Sequence, residues 1–232
     1  MRIPAVAAVV GLLLLAPLTG CGSEDPADVA ADPALAGSAD SPVSDDDPAS
    51  DGAEPDAPAG MPAAIPAADG PVRSLHLATV LDAGDAPPQL CLGPVAESWP
   101  PQCQGIPIDG WRWADARGVF DREGDVRWGS FAVTGTFDGE TFTVTDLVPA
   151  ALYDPMVPEP STPPTPAVEL DAGELEVVVG EVMALPGATS ASADEVRVTV
   201  EVVHDDGSLQ RWADETYGAD VVNVVSLLVP AV

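Results

Sequence analysis

Tryptophan and arginine are concentrated in one short stretch of the sequence. Four of the five Trp and four of the eight basic residues lie between residues 99 and 128. An indole ring can stack on a sugar ring, and a guanidinium group can hold a carboxylate through two parallel hydrogen bonds. A candidate ligand platform is therefore Trp111, Arg112, Trp113, Arg127 and Trp128. The alternative is that the Trp fill a small core and the Arg form surface pairs with the interleaved acidic residues.

Cys21 has a different chemical context, because it follows a positively charged start and an apolar run over residues 3–18. Proline and glycine interrupt this run, and it is short for a membrane span, so a cleaved signal is the better interpretation. Leu18-Thr19-Gly20-Cys21 resembles the lipobox of bacterial lipoproteins. The resemblance implies that residues 1–20 are a signal peptide and that the thiol of Cys21 receives diacylglycerol. An ordinary secretory signal with a chance cysteine, or an uncleaved anchor, is the alternative.

The resemblance to a lipobox also implies where the protein is located in the cell. The mature chain is expected at the extracytoplasmic face of the cell membrane, held by its N-terminal lipid. One acyl chain holds a protein only marginally, but two or more, such as palmitate, give a stable anchor. The membrane is thus an expected partner through the lipid alone.

The other two cysteines are Cys91 and Cys103. A zinc site would need a second close pair of ligands, and His76 and His204 are far from such a spacing. In an exported protein we therefore predict a disulfide, which closes a loop of about 13 residues. Trp99-Pro100 within this loop is a candidate cis peptide bond.

No catalytic motif is recognisable. The sequence contains no Gly-rich phosphate loop, no Gly-x-Ser-x-Gly elbow and no His-Glu-x-x-His pair. His204 stands beside Asp205 and Asp206, where a turn is a sufficient explanation. Carboxylates are too numerous for any pair to be diagnostic of a glycosidase. The sequence therefore favours a protein without catalytic residues, metal or cofactor.

The net charge of the chain excludes one class of binding partner. The 232 residues carry 38 Asp and Glu against 8 basic residues, which gives a net charge of −30. Binding to nucleic acids and anionic lipid headgroups depends on basic residues that neutralise phosphates. Nucleic acid is therefore excluded as a partner.

Two segments have the composition of linkers. Residues 21–71 are rich in Ala, Pro and acidic residues and contain no Arg or aromatic residue, which predicts a disordered tether. Its run Asp45-Asp46-Asp47 does not have the spacing of a calcium loop. Residues 149–171 contain a cluster of Pro typical of a polyproline II spacer. An Ala-rich, Lys-free chain with a lipobox and such a tether resembles an actinobacterial envelope lipoprotein.

Residues 72–148 are predicted to form a small antiparallel β domain, stapled by the disulfide. Residues 72–81 alternate as a half-buried strand, with Leu75, Leu77, Thr79 and Leu81 on one face. Residues 130–137 and 140–147 predict a hairpin with a two-residue turn at Asp138-Gly139, which pairs Phe137 with Glu140. One face of the hairpin then carries Phe131, Val133, Phe137, Phe142 and Val144, and the other carries Thr. The apolar face predicts packing in a small sheet or barrel.

Residues 172–232 are predicted to form a small α+β domain. The segment 174–185 has helical spacing, but its Val and Gly residues would equally suit a strand. Val196, Val198, Val200 and Val202 alternate as a strand, and Ser208 is a candidate N-cap for a short helix that Gly218 ends. The apolar face of this helix holds Leu209, Trp212, Ala213, Thr216 and Tyr217. Residues 221–229 are then another strand, and the helix is expected to lie on the sheet.

The predicted fold class is α+β: a disulfide-stapled β domain and a small α+β domain, joined and preceded by linkers. We expect a lipid-anchored envelope protein whose folded part binds or scaffolds an envelope protein or glycan. The alternative is an extracytoplasmic hydrolase that acts on envelope glycans or esters.

Overall fold

The computed structural model describes residues 58–154 and 164–231. The signal peptide, Cys21 and most of the predicted tether lie outside the described residues, as do residues 155–163 of the predicted Pro-rich linker. The described residues form an eight-stranded and a three-stranded sheet together with two α-helices. The fold is mixed α+β, with a β-barrel followed by a small α+β unit.

The elements follow in chain order. The strands before the helices are β1 (Val72–Ser74), β2 (Ala78–Asp82), β3 (Gln89–Cys91), β4 (Ile106–Asp109), β5 (Asp121–Glu123), β6 (Val126–Phe137) and β7 (Phe142–Pro149). A 3-10 turn, Ala150–Leu152, then precedes α1 (Ala172–Val182), β8 (Ala188–Ala193), β9 (Val198–Val202), α2 (Ser208–Tyr217), β10 (Val222–Ser226) and β11 (Leu228–Pro230).

Five strands close into a barrel in the ring order β2-β3-β4-β7-β6, because β6 pairs with both β7 and β2. Four of the five pairings are antiparallel, and β4 pairs with β7 in parallel, with Ile108 opposite Phe142. The prediction of an antiparallel domain is therefore corrected at this one seam. The ring order therefore places the fifth barrel strand, β7, between the third, β4, and the fourth, β6.

The hairpin β6–β7 confirms the predicted faces but not the predicted turn. Phe137 lies opposite Phe142, so the loop has four residues and the predicted pairing of Phe137 with Glu140 is wrong. The Asp138 carboxylate accepts hydrogen bonds from the backbone N–H groups of Glu140 and Thr141, and this widens the turn. The shift is by an even number of residues, so the same residues stay inside. Phe131, Val133, Phe137 and Phe142 are buried, and Val144 packs against the same core.

The predicted strand over residues 72–81 is two strands, because the chain bends between Ser74 and Ala78. The buried face is opposite to the leucine face: Val72, Ser74, Ala78 and Val80 are buried, whereas Leu77 is 40% exposed. β1 and β2 both pair with β6, and a kink lets one short segment contact two parts of that long strand.

The α+β unit has the sheet order β10-β9-β8, with β9 parallel to β10 and antiparallel to β8. Most of segment 174–185 belongs to helix α1, which buries Leu175, Val178 and Val182. Asp171 is the N-cap of α1 and forms a capping box. The Asp171 side chain accepts hydrogen bonds from the backbone N–H groups of Gly173 and Glu174, and the Glu174 carboxylate accepts one from the Asp171 N–H. This local signal overcomes the poor propensity of valine.

Helix α2 forms as predicted and ends at Gly218, with Leu209, Trp212 and Ala213 buried. Thr216 of the predicted apolar face is exposed. Ser208 is the first helical residue, and the N-cap is Gly207. The carboxylate of Asp205 accepts from the backbone N–H groups of residues 207, 209 and 210. A carboxylate near the positive end of the helix dipole stabilises the helix.

The predicted strand over residues 221–229 belongs to two sheets. β10 completes the three-stranded sheet, whereas β11 pairs with β1 on the edge of the barrel sheet. Leu228 and Val203 are buried in the barrel core, and Leu228 N–H donates to the Val203 carbonyl. The C-terminal residues therefore tie the two sheets together.

Residues 58–71, here called the strap, lie against the folded part, although the predicted tether extends to residue 71. Ile65 and Ala68 pack on the barrel core, and Met61 packs on the core of the α+β unit. The Ala68 N–H donates to the Phe137 carbonyl at 2.9 Å. The strap contains only a few apolar residues among many Ala and Pro, so the sequence did not predict that it packs on the folded part. Within residues 58–154 and 164–231, neither α-helix has the length and apolar character to cross a membrane.

Candidate functional site

A groove of about 400 Å³ lies beside the parallel seam of the barrel. We call it the Trp111 groove. Its walls are Gly110, Trp111, Arg112 and Asp115 on one side and Val144, Thr145, Asp146 and Leu147 on the other. A second, smaller hollow of about 210 Å³ lies on the α+β unit and is lined mainly by apolar residues of segment 165–170 with Val196.

The parallel pairing of β4 with β7 explains where the groove forms. The pairing ends at Asp109 and Thr143, and beyond these residues the two chains separate. Gly110 has a φ of +74°, a conformation that L side chains rarely adopt, and it turns the chain away from β7. A Cβ at this position would lie 3.3 Å from the Val144 carbonyl oxygen, so the turn also needs the small residue for close approach.

A β-bulge shapes the opposite wall. Gly135 pairs with Val144 and Thr134 pairs with Asp146, which leaves Thr145 without a cross-strand partner. The hydroxyl of Thr145 donates a hydrogen bond to the Thr134 carbonyl at 3.1 Å. Bulges reorient side chains next to binding sites, and this one places Thr145 and Asp146 on the groove.

Trp111 is half-buried and held by aromatic contacts. Its ring meets the Trp113 ring at 5.3 Å and the Phe131 ring at 4.9 Å, both with steep interplanar angles. Its Nε1–H is buried and has no hydrogen-bond acceptor among the described residues. An unpaired buried donor costs about 1 to 3 kcal/mol, which the aromatic contacts of this ring must offset.

The charged groups of the groove are one base and two acids. Arg112 and Asp115 form an exposed ion pair, with Nε and Nη2 each 2.9 Å from Asp115 Oδ2. Asp146 on β7 is exposed and is the second carboxylate. The groove therefore carries one positive and two negative charges, so its formal charge is negative.

Trp113 and Arg127 of the predicted platform lie elsewhere, around the buried carboxylate of Asp82. Asp82 Oδ2 accepts from Trp113 Nε1 at 2.8 Å and from Arg127 Nη2 at 2.7 Å, and Oδ1 accepts from the Gly84 N–H. The Arg127 guanidinium also lies over the Trp113 ring, 5.6 Å from its centre. Trp113 is thus part of the barrel core, as the alternative interpretation predicts, whereas Arg127 is half-buried and pairs with Asp82 and not with an interleaved surface acid.

Trp128 is buried and contacts a different aromatic residue. Its ring meets Trp99 edge to face at 4.8 Å, and Trp99 is 68% exposed. Trp99 lies in the loop closed by the disulfide between Cys91 and Cys103, which the structure confirms. The Trp99-Pro100 peptide bond is cis. Of the five platform residues, the structure thus brings only Trp111 and Arg112 to the groove.

The two histidines differ in burial. His76 is exposed, whereas His204 is buried and its Nδ1 lies 2.9 Å from the carbonyl oxygen of Pro66 in the strap. Within the part of the chain that the structure describes, no group of three or more His, Cys, Asp and Glu is placed to hold a metal ion.

The sequence did not indicate three residues that the structure makes important. Asp82 continues the alternation of Ala78 and Val80 on the inner face of β2, and an acidic residue at such a position signals a buried partner. Thr145 and Asp146 reach the groove only because of the bulge, which has no clear sequence signature.

The loop after the fourth barrel strand meets the strap: a Cβ at Gly139 would lie 2.9 Å from the Ile65 carbonyl oxygen. The Trp111 groove lies beside the seam between the third and fifth barrel strands. No protein-family model, curated protein or solved structure matches the chain.

Proposed function

We propose that this protein is a lipid-anchored, extracytoplasmic module that binds a ligand in the Trp111 groove and holds it at the cell envelope without catalysis. The observation that carries the proposal is the groove itself. An indole, a guanidinium group, a hydroxyl and two carboxylates converge on one concave site of about 400 Å³. Sites for small ligands usually have volumes of about 300 to 1,000 Å³ and a few convergent polar groups.

The chemistry of the cysteines supports the proposed location. Leu18-Thr19-Gly20-Cys21 resembles a lipobox and supplies the anchor, and the disulfide between Cys91 and Cys103 is typical of oxidising, extracytoplasmic compartments. The net charge of −30 disfavours nucleic acid and leaves envelope glycans and proteins as the proposed partners.

Three carboxylates outside the groove have lowered pKa values. The pKa of Asp138 is lowered by backbone N–H groups of Thr141 and Glu140, and that of Asp194 by backbone N–H groups of residues 196 and 197. The pKa of Asp206 is lowered first by the Ser208 hydroxyl and then by the Ser208 N–H. These hydrogen bonds stabilise turns and do not belong to the proposed site.

The anchor is tested by metabolic labelling with an alkyne fatty acid in an actinobacterial host. We expect the wild-type chain to carry the label and to sediment with membranes. Cys21→Ala should lose the label and leave the membrane fraction, whereas Ser23→Ala should behave as wild type. Retention of Cys21→Ala in the membrane fraction would show that the lipid is not the anchor.

Binding is tested with a photocrosslinking amino acid at Thr145, which lines the groove, in the intact envelope. Thr136 is the matched control, because it is an exposed threonine on β6 that does not line the groove. We expect a light-dependent adduct at position 145 and none at position 136. The same adducts at both positions, or none at either, would contradict a specific site in the groove.

A further inference from the structure

We infer that the smaller hollow, on the α+β unit, is a docking site for a basic segment of a partner protein. An aliphatic side chain of that segment enters the hollow, and a neighbouring Lys or Arg pairs with the glutamates that line it. We call this site the Val196 hollow, and it is lined by residues of segment 165–170 together with Glu195 and Val196. The inference does not involve the Trp111 groove and goes beyond the proposed function.

The Val196 hollow offers apolar surface that a partner can reach. Val168 is 45% exposed and Val196 is 51% exposed, and both line the hollow. Its volume of about 210 Å³ lies below the range of about 300 to 1,000 Å³ that is usual for small-ligand sites. The hollow therefore suits one anchoring side chain of a larger partner, and such pockets are where the strongest contacts of protein interfaces lie.

The charge around the hollow determines which partners it attracts. Glu169 and Glu195 are exposed and line the hollow, and within residues 58–154 and 164–231 no basic residue lines it. The segments that form its walls, 164–171 and 194–197, carry four acidic residues and one Arg, so their formal charge is −3. Complementary charge guides association and excludes wrong partners, so a basic segment is attracted here and an acidic one is repelled.

Both walls of the hollow are ordered before a partner arrives. On one wall, the Asp194 carboxylate accepts hydrogen bonds from the backbone N–H groups of Val196 and Arg197, which closes a tight turn. On the other wall, the Ala167 N–H donates to the Ala219 carbonyl at 2.8 Å. The Arg197 guanidinium donates to the backbone carbonyl of residue 164 and so joins the two walls. A surface that is already ordered loses little conformational entropy on binding.

Occupants from the chain itself fit the charge of the hollow less well. Residues 155–163 contain one Glu and no basic residue, and residues 21–71 contain neither Lys nor Arg. A second copy of the chain would bring 38 acidic residues against 8 basic ones. The glutamates of the hollow repel all of these, whereas a basic segment of another protein gains two ion pairs.

The first experiment uses the full mature chain with its lipid, in an uncharged detergent. Amide NMR follows titrations with three peptides that differ only in the centre of a glycine frame: Arg-Leu-Arg, Arg-Gly-Arg and Glu-Leu-Glu. The variants are Val196→Ser and the double change Glu169→Gln with Glu195→Gln. The matched controls are Val177→Ser and Glu176→Gln, which alter exposed residues of α1 that do not line the hollow.

We expect the Arg-Leu-Arg peptide to shift the amide signals of residues 165–170 and 194–197. Its Kd should rise several-fold between about 0.05 M and 0.5 M salt, because the glutamates are exposed to screening ions. The Arg-Gly-Arg and Glu-Leu-Glu peptides should each bind roughly fivefold more weakly or less well still. Val196→Ser and the double Gln variant should each raise the Kd roughly fivefold, and the controls should leave it unchanged.

The second experiment places a photocrosslinking amino acid at position 196 in the intact envelope, with position 177 as the control. We expect an adduct only at position 196, on a partner segment in which Lys or Arg stands beside an aliphatic residue. The double Gln variant should lose this adduct.

The inference is overturned by equal affinity for the three peptides, or by an unchanged affinity of Val196→Ser. It is also overturned if position 196 gives no adduct, or an adduct with residues 155–163, with a second copy of the chain or with an acidic segment. Each of these results leaves the Thr145 adduct untouched, so the proposed function of the Trp111 groove stands or falls separately.

Discussion

The buried carboxylate of Asp82 should be one of the most sensitive positions of the barrel. Its side chain is 8% exposed and accepts hydrogen bonds from the Trp113 indole, the Arg127 guanidinium and the Gly84 backbone. Asp82→Ala removes both carboxylate oxygens and with them all three hydrogen bonds. The Trp113 Nε1–H is then left buried and unpaired, which costs about 1 to 3 kcal/mol.

The ion pair between Asp82 and Arg127 contributes less to the free energy of unfolding than a fully buried pair would. The Arg127 side chain is 37% exposed, so water can solvate the guanidinium once Asp82 is gone, and we count about 1 kcal/mol for it. The sum predicts that Asp82→Ala lowers the free energy of unfolding by about 3 kcal/mol. Asp82→Asn keeps a carbonyl oxygen for the indole and should lose only about 1 kcal/mol.

Urea unfolding followed by tryptophan fluorescence, with the disulfide intact, measures these changes. The control is Asp115→Ala, which breaks the exposed pair with Arg112 and should cost about 0.5 kcal/mol or less. The denaturant slope should stay unchanged in all variants. A loss for Asp82→Ala within about 0.5 kcal/mol of the Asp115→Ala control would refute the reasoning.

Replacing Cys91 and Cys103 together by Ala should lower the free energy of unfolding by about 3 kcal/mol, because the disulfide closes a loop of about 13 residues; thermal unfolding with and without reductant checks this. Asp171→Ala removes the capping box of α1 and should cost about 1 kcal/mol, seen as faster amide exchange in its first turn. The pKa of Asp138 is lowered chiefly by the Thr141 N–H, so its contribution to stability is present above about pH 4 and is lost as the pH falls through the lower folded pKa. A carboxyl NMR titration of Asp138 with a midpoint at or above its ordinary pKa of 3.8 would contradict this.

Local patterns were sufficient for much of the fold. The alternation of β6 and β7 identified the buried phenylalanines, because a period of two needs no knowledge of the partner sheet. The spacing of Leu175, Val178 and Val182 indicated the face of α1, and the predicted export together with a second pair of cysteines indicated the disulfide. Each of these signals lies within a few residues or depends on composition alone.

Other features depended on partners far along the chain. Short strands such as β3 and β4 have no usable periodicity, since three or four residues cannot show it. The true register of the hairpin depends on the Asp138 side chain, and the buried face of β2 depends on which side of β6 it joins. The strap was hidden by its composition, because a few apolar side chains suffice where two cores already provide a surface.

In the candidate site, too, some features could be predicted from the sequence and others depend on the tertiary structure. Tryptophan and arginine content alone pointed to residues 99–128, yet it could not separate Trp111, which lines the groove, from Trp113, which is paired with Asp82. Composition, charge and the lipobox pattern are properties of the chain itself, so the sequence alone predicts an exported, acidic, lipid-anchored protein. The groove exists only where two parallel strands separate and a bulge turns Thr145 and Asp146 outward, and tertiary structure alone brings residues about 35 positions apart face to face.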